Sequence, residues 1–168
     1  MEQKIRVHLS KMVDYSYDIV IGTSLFSRIA KEQEKNLTGG GVAVITDSLV
    51  APLYGTKLVA ALEEWHKRVH LLTFPSGEKS KNRRVKGLLE DRLLRRGLGR
   101  DATIMALGGG VVGDLAGFVA ATYHRGVPYI QIPTTLLAQV DSSVGGKTAI
   151  DVPFGKNLLG AFHQPACV

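Results

Sequence analysis

The sequence predicts an α/β protein: an open parallel sheet with helices on both faces and an amino-terminal edge hairpin. Three observations carry this expectation. Short apolar runs of strand length alternate with amphipathic stretches of helical period, the pattern of a parallel sheet joined by right-handed crossovers. The run Thr103 to Tyr123, TIMALGGGVVGDLAGFVAATY, sets a strand suited to burial on both faces, a glycine turn and a helix in direct succession. Finally, 45% hydrophobic residues with few aromatics, over 168 residues, are enough for one domain with a sound core.

The elements follow in order. Lys4 to Leu9 alternates, with Ile5, Val7 and Leu9 set against Lys4, Arg6 and His8. Tyr17 to Ile21 is a second extended run, and the two predict the edge hairpin. Thr23 or Ser24 caps a helix bearing Leu25, Phe26, Ile29 and Ala30 on one face. Asn36 to Gly41 is a glycine-rich loop. Val42 to Thr46 is a buried strand ending in Asp47-Ser48, and the next helix carries Leu58, Ala61, Leu62 and Trp65. Val69 to Phe74 is a strand that runs into the polar loop Pro75 to Lys81. Val85, Leu88, Leu89 and Leu93 mark the buried stripe of a basic helix ending near Gly97. The central strand and its helix come next, then Tyr129 to Ile132 as a further parallel strand. From Pro133 onward Gly145, Gly146, Gly155 and Gly160 lie among Asp141, Ser142, Ser143, Lys147, Thr148, Asp151, Lys156 and Asn157. That composition predicts a loop-rich polar segment lining a site.

Bulk properties restrict the function. The net charge of +6 lies largely between Lys79 and Arg100, which holds nine lysines and arginines. There the charges cover the solvated side of an amphipathic helix, and no aromatics interleave to stack bases, so nucleic acid is not the expected partner. No apolar run reaches the length of a membrane span, and the start MEQKIRVHLSK lacks a signal-peptide pattern. The lone Cys167 fits a reducing compartment, and a cytoplasmic protein is expected.

Strand, glycine turn and helix form a device for holding an anion. Without Cβ atoms the backbone can approach a ligand closely, and the helix aims its unpaired N–H groups and positive dipole end at it. Spelled Gly108-x-Gly110-x-x-Gly113, the run matches the dinucleotide fingerprint in its strand-to-helix context, which makes the fold class Rossmann-like. The acid expected about 20 residues on is missing, since the next strand ends in Pro133-Thr134-Thr135. Asp114 is placed instead in the first turn of the helix. Asp47 can bond ribose hydroxyls or cap the following helix, and the ribose is favoured. Glu78 can bond a ribose while Lys81 neutralises a phosphate. Gly146-Lys147-Thr148 resembles the tail of a P-loop, but Asp141 stands where its first glycine is needed. The scattered histidines and single cysteine give no metal-ligand spacing, and no Gly-x-Ser-x-Gly elbow is present.

GGGVVGDLAGFVAATYHRG (108 to 126), PTTLLAQVDSSVGGKTAID (133 to 151), GKNLLGAFHQP (155 to 165) and the PSGEKSK loop (75 to 81) resemble the 3-dehydroquinate synthase family. The resemblance implies an NAD- and metal-dependent lyase of the shikimate pathway, converting 3-deoxy-D-arabino-heptulosonate 7-phosphate to 3-dehydroquinate and phosphate. Carried over by position, Asp47, Glu78 and Lys81 attend the adenosine ribose, with Ser76, Gly77, Lys79 and Ser80 around them. Gly109, Gly110, Val111, Val112, Gly113 and Asp114 cradle the pyrophosphate. Thr134, Thr135 and Leu137 approach the nicotinamide half, while Lys147 and Lys156 stand near its junction with substrate. Asp141, Lys147 and Asn157 match substrate contacts. Arg125 matches an arginine reaching into a neighbouring subunit's site, which implies a homodimer.

In that family the metal ligands, a glutamate and two histidines that hold zinc or cobalt, lie in a helical carboxyl-terminal domain. The expectation is therefore that residues 1–168 are the NAD-binding amino-terminal domain, with that second domain absent, no metal ligand in the chain and no turnover alone. Two alternatives stay open at this point: a related sugar-phosphate cyclase or metal-dependent polyol dehydrogenase domain, and a stand-alone dinucleotide-binding module.

Overall fold

The computed structural model describes residues 14–32, 40–66 and 68–168. Among the described residues, four parallel strands form the sheet: β1 (Val42–Asp47), β2 (Val69–Phe74), β3 (Thr103–Gly108) and β4 (Tyr129–Pro133), in the order β2-β1-β3-β4. The helices described with them are α1 (Leu25–Glu32), α2 (Thr56–Glu63), α3 (Arg83–Arg95) and α4 (Gly110–Thr122). This is the expected Rossmann-like layering. Alternation along each strand sends side chains to both faces. Ala43, Ile45, Ile104 and Ala106 pack against Leu89 and Leu93 of α3 and Leu115, Ala116 and Val119 of α4. Val42, Val44, Met105 and Leu107 meet Ala30 of α1 and Leu58 and Leu62 of α2 on the other face. Each fully buried aliphatic side chain stabilises the fold by roughly 1.5–3 kcal/mol.

The strand order reverses between β1 and β3. The connection leaving β1 runs to one side through α2, and that leaving β3 runs to the other through α4. Their carboxyl ends, Asp47 and Gly108, therefore open a crevice, the position where such sheets take ligands.

Several expectations need correction. The Lys4 to Leu9 half of the predicted hairpin, and most of the Asn36 to Gly41 loop, lie outside the described residues. Tyr17 to Ile21 is not a strand. Asp18 makes a single parallel bridge with Cys167, which also bridges Ile130 of β4, so the chain near residue 167 lies between them at the sheet edge. Val20 N–H donates to Val168 O at 2.7 Å and Val168 N–H to Asp18 O at 3.0 Å. Ser24, a candidate cap, precedes α1 at a φ of 55°, outside the extended region that caps adopt. Trp65 lies beyond the end of α2 and is 42% exposed. Leu88 is 47% exposed, because one step of about 100° carries it off the Leu89–Leu93 stripe.

The largest difference lies after Pro133. A helical turn with a wide, π-type segment (Ala138–Ser142) follows β4, and then β5 (Lys147–Val152) and β6 (Gly155–Phe162) pair antiparallel. The segment read as loop is a hairpin. Thr148 and Ile150 are buried along β5, and Thr148 Oγ1 donates to Ala161 O at 2.8 Å. The hairpin packs on α4 where Gly117 leaves room. A Cβ there would come within 2.5 Å of Thr148 Cγ2.

Candidate functional site

β3 delivers the chain to the crevice at Gly108, whose carbonyl accepts Thr134 N–H at 3.0 Å. Gly109 caps α4 in an extended conformation and offers no side-chain oxygen. The helix ladder starts with Gly113 N–H on Gly109 O at 3.0 Å. The amides of Gly110, Val111 and Val112 precede that bond and have no partner among the described residues, as expected of a first turn. Their approach is kept clear by the absence of side chains. A Cβ on Gly110 would stand 3.0 Å from Ser142 Oγ, and one on Gly109 would stand 3.1 Å from Thr135 Cγ2. Gly113 has a different job: its Cβ would meet Gln131 Oε1 at 2.5 Å, so glycine lets α4 lie close on β4. An anion that brings its own acceptors, such as a pyrophosphate, fits this corner.

Beside it lies an open cavity of about 570 Å³ lined by Asp114, Asp141, Ser142, Lys147, Thr148 and Asn157 among others. Four of the residues singled out in the sequence (Asp114, Asp141, Lys147 and Asn157) are thereby brought to one place. Asp114 is the fifth residue of α4, in its second turn rather than the first.

Lys81 ties this site together from behind. Only 4% of the residue is exposed, and its Nζ donates to Asp114 Oδ2 and to Asn157 Oδ1. Burial pushes the Asp114 carboxyl above its ordinary range, against the pull of the Lys81 ammonium. The 75–81 loop reaches this position through the turn Glu78–Ser80, with Gly77 at a φ of 97°. Its outer residues Glu78 and Lys79 join Lys81 and Asp151 around a shallower hollow of about 350 Å³. Lys156 Nζ lies 3.1 Å from Glu78 Oε1, an exposed pair joining the loop to the hairpin.

The remaining predicted residues lie outside the lining of these two hollows. Asp47 Oδ1 accepts from Leu49 N–H at 2.9 Å and Val50 N–H at 2.8 Å, the capping role that sequence weighed second. Ser76 N–H donates to Ser48 Oγ at 3.1 Å, and Ser80 is buried. Thr134 follows β4, and Thr135 Oγ1 accepts Ala138 N–H at 3.2 Å, capping the turn that holds Ser142. Leu137 is 65% exposed. Arg125 does not line the cavity. It sits past the far end of the 13-residue α4, about 20 Å from the glycine corner, on a turn where His124 and Arg125 hold φ values of 49° and 67°. Sequence reasoning missed two residues. Ser142, facing Gly110, was one polar residue among many. Asp151, whose Oδ1 accepts Asn157 N–H at 2.9 Å, was hidden in a supposed loop. The alternation of Thr148, Ile150 and Val152 was the signal for both the strand and the placement of Asp151.

Among the described residues no group of three His, Cys, Asp or Glu stands together to hold a metal ion, and no helix is long and apolar enough to cross a membrane.

Comparison with known proteins gives the family. The 3-dehydroquinate synthase N-terminal family model matches residues 71–168. A 3-dehydroquinate synthase of Pelobacter propionicus is 53% identical over 153 residues, covering 91% of this chain and 43% of the relative. A 2-deoxy-scyllo-inosose synthase, solved with carbaglucose-6-phosphate, NAD+ and Co2+, superposes with a TM-score of 0.83 at 29% identity, over 89% of this chain and 41% of that one. A 2-epi-5-epi-valiolone synthase from Streptomyces hygroscopicus subsp. jinggangensis, with NAD+ and Zn2+ bound, gives 0.82 at 34% identity, over 96% and 44%. The chain spans less than half the length of the curated relatives it matches. On sequence and on fold alike, the chain belongs to the 3-dehydroquinate synthase family.

Proposed function

We propose that the corner from Gly109 to Asp114 holds the pyrophosphate of NAD, and that the chain is the NAD-binding amino-terminal domain of a 3-dehydroquinate synthase. The single observation that carries this is the start of α4 without a side-chain cap, three amides unpaired among the described residues beside a cavity that gathers Asp114, Asp141, Lys147 and Asn157. Asp47 Oδ2, which has no partner among the described residues, and Glu78 take the adenosine ribose. Lys81 and the rest of the 76–81 loop support them. Thr134, Thr135 and Leu137 flank the nicotinamide half. Lys147, Asn157 and Asp141 hold the sugar-acid phosphate 3-deoxy-D-arabino-heptulosonate 7-phosphate, and Lys156 stands at the junction. Hydride removal from the C5 carbinol and its later return is the chemistry a bound nicotinamide supplies. The chain's own share is to hold the flexible substrate so that each following step is intramolecular.

Metal chemistry belongs to residues in the part of the relatives that this chain does not span. A homodimer in which Arg125 reaches a neighbouring subunit accounts for an arginine held so far from its own cavity. We place the protein in the cytoplasm, as the biosynthetic relatives and the lone cysteine suggest, with no nucleic-acid or membrane partner. The likeness to the two cyclases supports a second reading, a related sugar-phosphate cyclase, but the higher identity is to the dehydroquinate-forming relatives.

The test is a crystal soaked with NAD+. Bridging phosphates within hydrogen-bond reach of the Gly110, Val111 and Val112 amides support the reading, and phosphates bound elsewhere end it. Phosphate release by residues 1–168 alone would overturn the assignment of the metal-dependent steps to another part of the enzyme.

A further inference from the structure

Asn157 is the cavity residue in the most constrained state. Its φ of 57° lies in the left-handed region that a non-glycine residue enters at a cost, although asparagine enters it more readily than most. Two bonds hold it there. Its N–H donates to Asp151 Oδ1 at 2.9 Å, and its Oδ1 accepts from the buried Lys81 ammonium. An ammonium has donors only, so the amide oxygen must be the atom facing Lys81. That orientation leaves the Asn157 NH2 group with two donors and no partner among the described residues, on a residue that lines the cavity.

Asp151 does not itself line the main cavity, yet it grips both ends of this arrangement. Its carboxylate takes the Asn157 N–H, and its own N–H donates to Lys81 O at 2.8 Å. It thus sets the distance between the residue that orients Asn157 and Asn157 itself. We propose that Asp151 is a positioning residue, which holds Asn157 left-handed on Lys81 so that the Asn157 NH2 donates into the ligand cavity. The role rests on the reading of that cavity as a ligand site, but it can be tested without a ligand, so the two can fail separately.

The experiment is NMR on the 15N,13C-labelled chain, comparing wild type with Asp151→Ala and Asp151→Asn. In the wild type, Asn157 shows the 13Cα and 13Cβ shifts of a left-handed residue and cross-peaks between its side chain and the Lys81 side chain. Asp151→Ala loses both while the signals of β1 to β4 stay in place. Asp151→Asn retains an oxygen acceptor and therefore keeps both. A folded Asp151→Ala chain that retains the left-handed shifts and the Lys81 cross-peaks overturns the proposal. Should Asp151→Ala not fold, loss of both features in a folded Asp151→Asn chain overturns it equally.

Discussion

All six residues of β3 are buried, whereas six of the eight residues of β6 are exposed. The parallel sheet is held by apolar side chains from both faces, with Leu107, Met105, Leu115 and Leu58 fully enclosed. The β5–β6 hairpin buries little beyond Thr148 and Ile150 and relies on individual bonds: Thr148 to Ala161, Asp151 to Lys81, Lys81 to Asn157 and His163 N–H to Gly146 O at 2.8 Å. Burial is non-directional and scales with area, so many substitutions in the sheet cost something and few are decisive for position. Hydrogen bonds and ion pairs are directional, so a single change in the hairpin moves a functional group while leaving most of the stability intact. The sheet supplies the platform and the hairpin aims the side chains.

The contrast can be broken at its strongest point. Leu107→Ala removes a fully buried side chain from the central strand and should cost about 2–5 kcal/mol of unfolding free energy. Leu158→Ala, on a residue 60% exposed in β6, should change stability by less than about 0.5 kcal/mol. Urea unfolding of the two variants checks the difference. Equal losses would mean that β6 is as much part of the core as β3.

Lys81→Met tests the tie between the regions. Removing one partner of a buried pair leaves the other charge stranded, at about 3–5 kcal/mol for full burial. Asp114 keeps 20% of its side chain exposed and can take up a proton, so about 2 kcal/mol is expected. The pH dependence carries the sign. Burial raises the Asp114 pKa in the folded state, and Lys81 opposes that rise. Without Lys81 the folded state binds its proton more tightly still. The variant should therefore lose stability relative to wild type as pH rises above 3.8, the ordinary value for the carboxyl, and approach it at lower pH. Midpoints of thermal unfolding across that range read it, and a flat difference would remove Asp114 as the cause.

The same division explains what the sequence made legible. Short apolar runs such as VAVIT and TIMAL can only be buried strands, and their alternation with helical stripes named the sheet. The glycine corner was legible because Gly108, Gly110 and Gly113 are local in the chain, and a Cβ on Gly108 would lie 2.4 Å from Val112 Cγ2 just as those on the other two would meet Ser142 and Gln131. Lys81, Asp114 and Asn157 were each named, but their union was not, since 33 and 76 residues separate Lys81 from its partners. The hairpin was misjudged because composition was weighed above period. Lys147 to Val152 alternates, yet Thr148 does the work of an apolar residue by giving its hydroxyl to Ala161. Leu88 failed for the opposite reason, an apolar residue on a face that nothing covers.

A smaller effect sharpens the comparison at the ligand. Gly110→Val places branched carbon where a Cβ alone would already stand 3.0 Å from Ser142 Oγ. It should weaken NAD+ binding by about tenfold or more, roughly 1.4 kcal/mol, with little change in the sheet. Calorimetry with unchanged affinity would exclude the corner from the binding site.

The smallest change falls at the junction itself. Asn82 caps α3, its Oδ1 accepting Val85 N–H at 3.0 Å, while its Nδ2 donates to Lys79 O at 2.6 Å and its backbone bridges Asp151. Asn82→Ala should cost about 1 kcal/mol, the usual worth of such a cap. Asn82→Asp restores the cap oxygen and adds a charge that the helix start favours, but it loses the bond to Lys79 O. If Asn82→Ala also weakens NAD+ binding, and Asn82→Asp recovers stability but not that affinity, the residue serves α3 through its oxygen and the 75–81 loop through its nitrogen. Full recovery of both would assign it to the helix alone and place the boundary between the two regions after residue 82.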